Sequence, residues 1–255
     1  MVALTPNDKN MVQKTIDILF YLSTNPKGAS LSTITKALKF PKTTVYDILK
    51  TLMINDFVQY TNARKKIYSI GAEIYIIGTA YLESSDFFRI ARPYLTLLAD
   101  KYEKTTFIAK RHYDRAICVY KYSSPYAKAP SGNIGDRKRF HSTAIGKCYL
   151  AFDPEAASMI DSIELVQCTP YTISDREKLK ANLSEIKKLG YSWEQRESHI
   201  KMACLAAPVF KNDCMAGTIS MTGWYREDED FSTQGNEIAQ LAKLISAELN
   251  QQKKT

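Results

Sequence analysis

Glu194, Glu197 and Cys204 lie close together in the chain, and a thiol beside two carboxylates holds the ingredients of nucleophilic catalysis. That chemistry also needs a positioned base with a second group to orient it. Nothing near these residues supplies one. The three histidines, His112, His141 and His199, are scattered without an HxxxH spacing and read as structural. The five cysteines, Cys118, Cys148, Cys168, Cys204 and Cys214, are odd in number and contain no CxxC pair, which supports neither a zinc ribbon nor a disulfide framework. His141-Ser-Thr-Ala-Ile-Gly-Lys147 approaches a phosphate-binding loop. However, His141 stands where the first glycine belongs and Cys148 where the loop needs a hydroxyl, so Gly146 and Lys147 read as a structural helix start. The sequence therefore predicts no catalytic residue, no metal and no cofactor.

A second kind of chemistry is electrostatic, and here the pattern is sharper. The formal net charge is +8, yet residues 1–74 hold ten basic and five acidic residues, so more than half of the excess sits in under a third of the chain. Between Lys36 and Lys66 seven basic residues face only Asp47 and Asp56. That is the footprint of a phosphate-binding surface.

The elements that would position these charges form a winged helix-turn-helix. A first helix over about Asn10 to Ser23 repeats Val12, Ile16, Leu19 and Phe20 at helical spacing, the face expected to turn inward. Asn25-Pro-Lys-Gly28 ends it. A second helix starts near Leu31 behind Ser30 as N-cap and is expected to bury Leu31, Ile34, Ala37 and Leu38. A turn at Lys39-Phe40-Pro41 leads to a third helix, with Pro41 in its first turn and Val45, Ile48, Leu49 and Leu52 inward. Phe57–Tyr60 and Ile67–Ile70, joined through Thr61-Asn-Ala-Arg-Lys-Lys66, make a basic hairpin, the wing.

In a helix-turn-helix the second helix enters the major groove with its N-terminal residues nearest the base edges. Lys42, Thr43 and Thr44 are thus expected to contact bases, and Tyr46 and Lys50 phosphates. Arg64, Lys65 and Lys66 at the wing tip are expected over the adjacent minor groove or backbone. Asp47 is discordant on such a face. It either accepts a hydrogen bond from cytosine N4 or pairs with Lys50 at i+3, and the pairing is the expected arrangement.

A linker helix follows over about Ala72 to Glu83, with Ile74, Ile77, Tyr81 and then Phe88 near helical spacing and further apolar residues off that stripe. So apolar a connector implies packing against a second subunit, which would present two wings to two half-sites. From Ile90 the pattern becomes mixed. Helices are expected at Ala91–Tyr102, Ser142–Leu150, Pro154–Met159, Asp175–Lys188 and Ser232–Leu249. Strands are expected at Thr105–His112, Ala116–Tyr122, Ala203–Phe210 and Met215–Thr222. This order suits an α+β sensor domain, an antiparallel sheet covered by helices.

The winged helix and linker, followed by His141-Ser-Thr-Ala-Ile-Gly-Lys147, Gly190-Tyr-Ser-Trp-Glu194 to Glu197, Cys204-Leu-Ala-Ala-Pro-Val-Phe210 and Thr218-Ile-Ser-Met-Thr-Gly223, resemble the IclR family of bacterial transcriptional regulators across nearly the whole chain. The resemblance implies a winged helix-turn-helix at 1–71, a dimerising linker at 72–89 and a GAF-like effector-binding domain at 90–255. It implies dimers or dimers of dimers, mostly repressors, whose operator affinity a small metabolite changes. It assigns the effector pocket to Thr143, Ala144, Glu194, Cys204, Ser220 and Thr222. Ser220 and Thr222 are two apart, so on a strand they share a face, whereas Trp193 points away from Glu194's side. The chain departs from the family pattern at Lys201, where a glycine is usual, at Glu194, where aspartate is usual, and at Asp47, where a basic residue is frequent.

The partners implied are double-stranded operator DNA and an organic acid, sugar acid or aromatic effector. The alternatives are a sensor protein acting through protein contacts and an activator of the same family. The N-terminus lacks an apolar signal segment. The most apolar run, Ile74 to Leu82, is about half of the ~20 residues a spanning helix needs. A cytoplasmic protein without membrane contact is expected.

Overall fold

The computed structural model describes residues 10–251, which form two compact units divided between Ser84 and Ser85.

In the first unit, α1 (Met11–Ser23) is capped by Asn10, whose side chain accepts from Gln13 N. After it come β1 (Ala29–Ser30), α2 (Leu31–Leu38) and α3 (Lys42–Ile54). Ser30 caps α2 as expected, accepting from Thr33 N at 3.2 Å. The strands β2 (Val58–Asn62) and β3 (Ile67–Ile70) form the wing hairpin, and β1 adds a third strand that the sequence did not reveal, in the order β1-β3-β2. The third strand explains Gly28. With φ at +76° the residue takes the left-handed conformation, and a Cβ there would lie 2.6 Å from the Tyr68 carbonyl oxygen on β3.

The core of this unit corrects two expectations. Ile18 and Leu22 of α1 are its buried residues, whereas Val12, Ile16 and Phe20 are exposed. The helix carries more apolar residues than one stripe, and periodicity alone cannot tell which stripe meets the chain's own core. In α2, Ile34 is fully buried but Ala37 is exposed. In α3 the expected set, Val45, Ile48, Leu49 and Leu52, is the buried one. The unit ends in α4 (Ala72–Glu83), which has no buried residue and exposes Tyr75, Ile76 and Ile77. Phe88, read as part of the same stripe, instead lies fully buried in the second unit.

The second unit opens with α5 (Asp86–Tyr102) and holds one six-stranded, fully antiparallel sheet. Its strands are β4 (Thr105–His112), β5 (Arg115–Ser123), β6 (Arg137–Arg139), β7 (Ser192–Gln195), β8 (Met202–Lys211) and β9 (Cys214–Trp224), in the order β6-β5-β4-β9-β8-β7. Between them run α6 (Ala144–Phe152), α7 (Pro154–Ala157) and α8 (Arg176–Leu189), and α9 (Phe231–Gln251) closes the unit. The edge strands β6 and β7 are additional to the four that the sequence predicts.

Successive side chains of a strand point to opposite faces, and β4 shows the two layers. Thr106 donates to the Leu95 carbonyl of α5 on one face. Phe107 and Ala109 join a core with α6 and α8 residues such as Tyr149, Leu179 and Leu183 on the other. Among the described residues no helix is long and apolar enough to cross a membrane.

Candidate DNA-binding face and effector cavity

The α2–α3 turn is made by Lys39 in the left-handed conformation at φ +56° and by Phe40, buried in the core of the first unit. Pro41 is the N-cap of α3 rather than a residue of its first turn, and it provides no side-chain cap. The first amides of the helix are therefore left without an intrahelical partner, where a helix end favours anions.

Lys42, Thr43, Tyr46 and Lys50 are exposed on the side away from the core, while Thr44 is half-buried beside Val45. Asp47 shares the exposed side. The expected ion pair with Lys50 does not form: among the described residues no basic group lies within 4 Å of Asp47. Only the Asp47 carbonyl is engaged, accepting from Thr51 Oγ1 at 3.0 Å.

At the wing tip Arg64, Lys65 and Lys66 are all exposed. The turn is held by Asn62, whose side-chain oxygen accepts from Lys65 N at 2.8 Å, and Lys66 takes φ +49°. Tyr60 and Tyr68 pack across the hairpin with their rings tilted at 45°, centroids 4.9 Å apart and hydroxyls 3.3 Å apart. Burial, reinforced by the Tyr60 hydrogen bond, pushes the Tyr68 phenol well up, so it stays neutral.

In the second unit, strand register assembles what the sequence separates. Thr105, Thr222, Cys204 and Glu194 stand opposite one another across β4, β9, β8 and β7. Phe107, Ser220, Ala206 and Ser192 form the next row on the same face. The start of α6 lies over these rows, tied down by Ser192 Oγ donating to the Ala144 carbonyl at 2.7 Å. Gly146 makes the approach possible, since a Cβ there would meet the Arg139 carbonyl oxygen at 2.2 Å.

Between sheet and helix lies a cavity of about 360 Å³. Of the six residues assigned to a pocket, Thr143, Ala144, Cys204, Ser220 and Thr222 line it. Glu194 does not. Its carboxylate is fully buried behind the wall, where it accepts from Ser198 Oγ at 2.7 Å, Glu197 N at 2.9 Å and Ser198 N at 3.3 Å. Burial raises its pKa above the usual carboxylate range, against the pull of the Ser198 and Cys204 side chains and the backbone donors. Trp193 lies outside the cavity and packs on the core.

The polar groups on the wall differ in freedom. Thr143 Oγ1 already caps α6, accepting from Gly146 N at 3.0 Å and donating to the Arg139 carbonyl at 2.6 Å. Cys204 Sγ and Thr222 Oγ1 are 2.9 Å apart. Burial, and then the nearby Glu194, push the Cys204 thiol well up, so it is no thiolate nucleophile. Ser220 is nearly fully buried, lines the cavity and has no hydrogen-bond partner among the described residues.

The cavity also includes residues that sequence reasoning missed. Lys138 of β6 supplies a cation, with Asp136 3.1 Å from its ammonium, and Ser198, His199 and Met202 come from the β7–β8 loop and its end. The basic run Arg137-Lys-Arg139 was a signal for Lys138. His199, read as structural, is at the cavity wall, whereas His141 fits that reading: buried, its Nε2 2.9 Å from the Val166 carbonyl and its pKa lowered by burial.

The β7–β8 loop is pinned from below. Lys147, fully buried, pairs with Glu197 at 2.7 Å. Thr169 donates to the Arg196 carbonyl and Thr172 to the Glu197 carbonyl. Glu197 therefore serves the loop rather than a reaction centre. Among the described residues no three metal-ligating groups cluster.

Comparison with known proteins accounts for both parts. The IclR helix-turn-helix domain matches residues 11–61, and the C-terminal domain of the bacterial transcriptional regulator IclR matches residues 79–247. The chain belongs to the IclR family of bacterial transcriptional regulators. This IclR-family chain is 28% identical to the HTH-type transcriptional repressor AllR of Escherichia coli K12 over 243 residues, covering 93% of the chain and 89% of AllR. AllR of Salmonella typhimurium LT2 matches at 27% over the same lengths. Among solved structures, an IclR regulator of Alicyclobacillus acidocaldarius superposes with a TM-score of 0.84 at 24% identity, covering 94% and 98% of the two chains. An IclR homologue of Microbacterium hydrocarbonoxydans in complex with 4-hydroxybenzoate gives 0.80 at 16%, covering 94% and 99%. These likenesses show the shared fold.

Proposed function

We propose that this IclR-family chain is a repressor whose hold on operator DNA changes when a small organic molecule fills the cavity of its second unit. The observation that carries the reading is the cavity wall of Ser220, Thr222, Cys204 and the α6 start, where the Ser220 hydroxyl has no hydrogen-bond partner among the described residues. That hydroxyl is not sealed inside the protein but faces the cavity, where a ligand would give it a partner. Lys138 and the first amides of α6 favour a carboxylate or similar anion, and Phe107 and Met202 an apolar or aromatic body. Glu194 is turned into the loop and opposes no anion directly. Organic acids, sugar acids and phenolic acids are thus the effector classes to test. The repressor name of AllR and the 4-hydroxybenzoate complex of the Microbacterium homologue support the same reading.

On the DNA side, Lys42, Thr43 and Thr44 meet base edges and Tyr46 and Lys50 phosphates, with Arg64, Lys65 and Lys66 following the backbone or minor groove. Thr44, half-buried, reaches less far than Thr43. The exposed apolar surface of α4 fits a homodimer, or a dimer of dimers, working in the cytoplasm. An operator-length duplex from the chain's own upstream region should bind more tightly than random DNA at moderate salt. A thermal-shift screen of organic, sugar and phenolic acids should find a compound that alters that binding. No preference over random DNA would overturn the DNA reading, and a full metabolite screen without any shift would overturn the effector reading.

A further inference from the structure

Asp47 is the sole carboxylate on the exposed side of α3, and it stands in the middle of that side. Thr43 precedes it by one turn, Lys50 follows at i+3, and Tyr46 is its neighbour. Its direction is set by the core, because the adjacent Ile48 and Leu49 are buried and hold the helix in one rotation. The carboxylate itself is unpartnered among the described residues: no basic group lies within 4 Å and no hydrogen bond reaches it. The other acidic residue of the region, Asp56, has a structural duty. It makes the turn after α3 at φ +55°, and its carbonyl accepts from Glu73 N.

An unpaired carboxylate among phosphates weakens binding to every sequence unless a base donates to it. The major groove offers two such donors, cytosine N4 and adenine N6; the adenine amine has an acceptor on either side, N7 and thymine O4, whereas cytosine N4 has only guanine O6 beside it, so a carboxylate is repelled less at cytosine. We propose that Asp47 is a specificity-determining residue that accepts a hydrogen bond from cytosine N4 in each operator half-site. The inference rests on the DNA-binding reading above. It makes Asp47 a filter of two parts: repulsion lowers the affinity for DNA in general, and one base edge restores it.

The experiment is selection from a random duplex library with full-length wild type, Asp47→Ala and Asp47→Asn, followed by titration of the selected duplexes. Wild type should enrich one C·G pair per half-site at a position where Asp47→Ala shows no preference. Replacing that base pair should weaken wild type about five- to ten-fold, as expected for one base-edge hydrogen bond, and leave Asp47→Ala unchanged. Asp47→Asn should shift the position toward A·T, because an amide pairs with adenine N6 and N7. Asp47→Ala should also bind random DNA about two- to three-fold more tightly, through loss of a screened repulsion.

N4-methylcytosine at the position, which keeps base pairing but removes the groove-facing hydrogen, should penalise wild type and not Asp47→Ala. Identical base preferences in wild type and Asp47→Ala would overturn the proposal while leaving DNA binding intact. If wild type enriches no sequence at all, the DNA-binding reading falls and this inference with it.

Discussion

Lys147→Met tests the architecture under the cavity. Lys147 is fully buried and Glu197 nearly so, and their charged atoms meet at 2.7 Å. Among the described residues the second oxygen of Glu197 has no partner, and the hydroxyls of Thr169 and Thr172 reach the loop carbonyls rather than the carboxylate, so of these residues Lys147 alone balances the charge. Methionine keeps much of the volume and removes the charge. Breaking a buried pair from one side costs about 3–5 kcal/mol. For a unit of this size each kcal/mol lowers the midpoint by about 2–4 °C, which amounts to roughly 6–20 °C. Lys147→Met/Glu197→Gln should recover most of the loss, because the pair's attraction largely offsets its own desolvation.

The chain's two tryptophans, Trp193 and Trp224, both lie in the second unit, so intrinsic fluorescence during urea or thermal unfolding reports on that unit alone. Trp193 is a close probe, with the Lys147 ammonium 5.8 Å from its ring centre. A single-variant loss below about 1 kcal/mol would refute the reasoning. So would a double variant whose loss equals the sum of the two single ones, since that leaves no coupling.

Lys65→Ala should weaken binding to all duplexes alike and reduce the salt slope by about 0.9, whereas Thr43→Ala should act mainly on the selected site; equal losses on both DNAs for Thr43→Ala would remove it from base readout. Ile77→Glu places a charge on the exposed apolar surface of α4, and sedimentation should show loss of the dimer; an unchanged mass would place the interface elsewhere. Ser220→Ala should leave the unfolding midpoint within about 1 °C, because the hydroxyl has no partner, and should abolish the shift produced by a confirmed effector; a retained shift would clear Ser220 of ligand contact. Glu194 carries a raised pKa, so the folded state keeps its proton to higher pH than the unfolded one. Wild-type stability should fall relative to Glu194→Gln as pH rises from the ordinary glutamate value to the raised one, then level off; a stability difference that widens in favour of wild type over that window would contradict the assignment.

Helix-turn-helix and wing were legible because local signals agree there: Ser30 as cap, a left-handed turn before Pro41, and an apolar stripe in α3 with one possible inward side. The inward side of α1 was not legible. Met11, Val12, Ile16 and Phe20 are as apolar as the residues that turned inward, and only the presence of α2 and β3 decides for Ile18 and Leu22. The short strands β1, β6 and β7 escaped notice for a related reason. A strand of two to four residues has almost no periodicity, and its partner across the sheet defines it. At the cavity, five of six assigned residues line the wall, whereas Glu194 shares their row and turns into the loop, a choice made by the donors on Glu197 and Ser198.

The sequence by itself determined that a basic winged helix precedes an α+β domain, because charge asymmetry, helix signals and strand alternation are local properties that adjacent residues impose on one another. Tertiary structure alone decided which residues become neighbours. Antiparallel register sets Thr222 beside Cys204 and Cys204 beside Glu194, places Ser220 in the cavity without a partner, and joins Lys147 to Glu197 across fifty positions. Asp47 shows the same division from the other side. Its place on the outer side of α3 follows from helical spacing, but whether Lys50 neutralises it depends on how two side chains settle in space, and they stay apart.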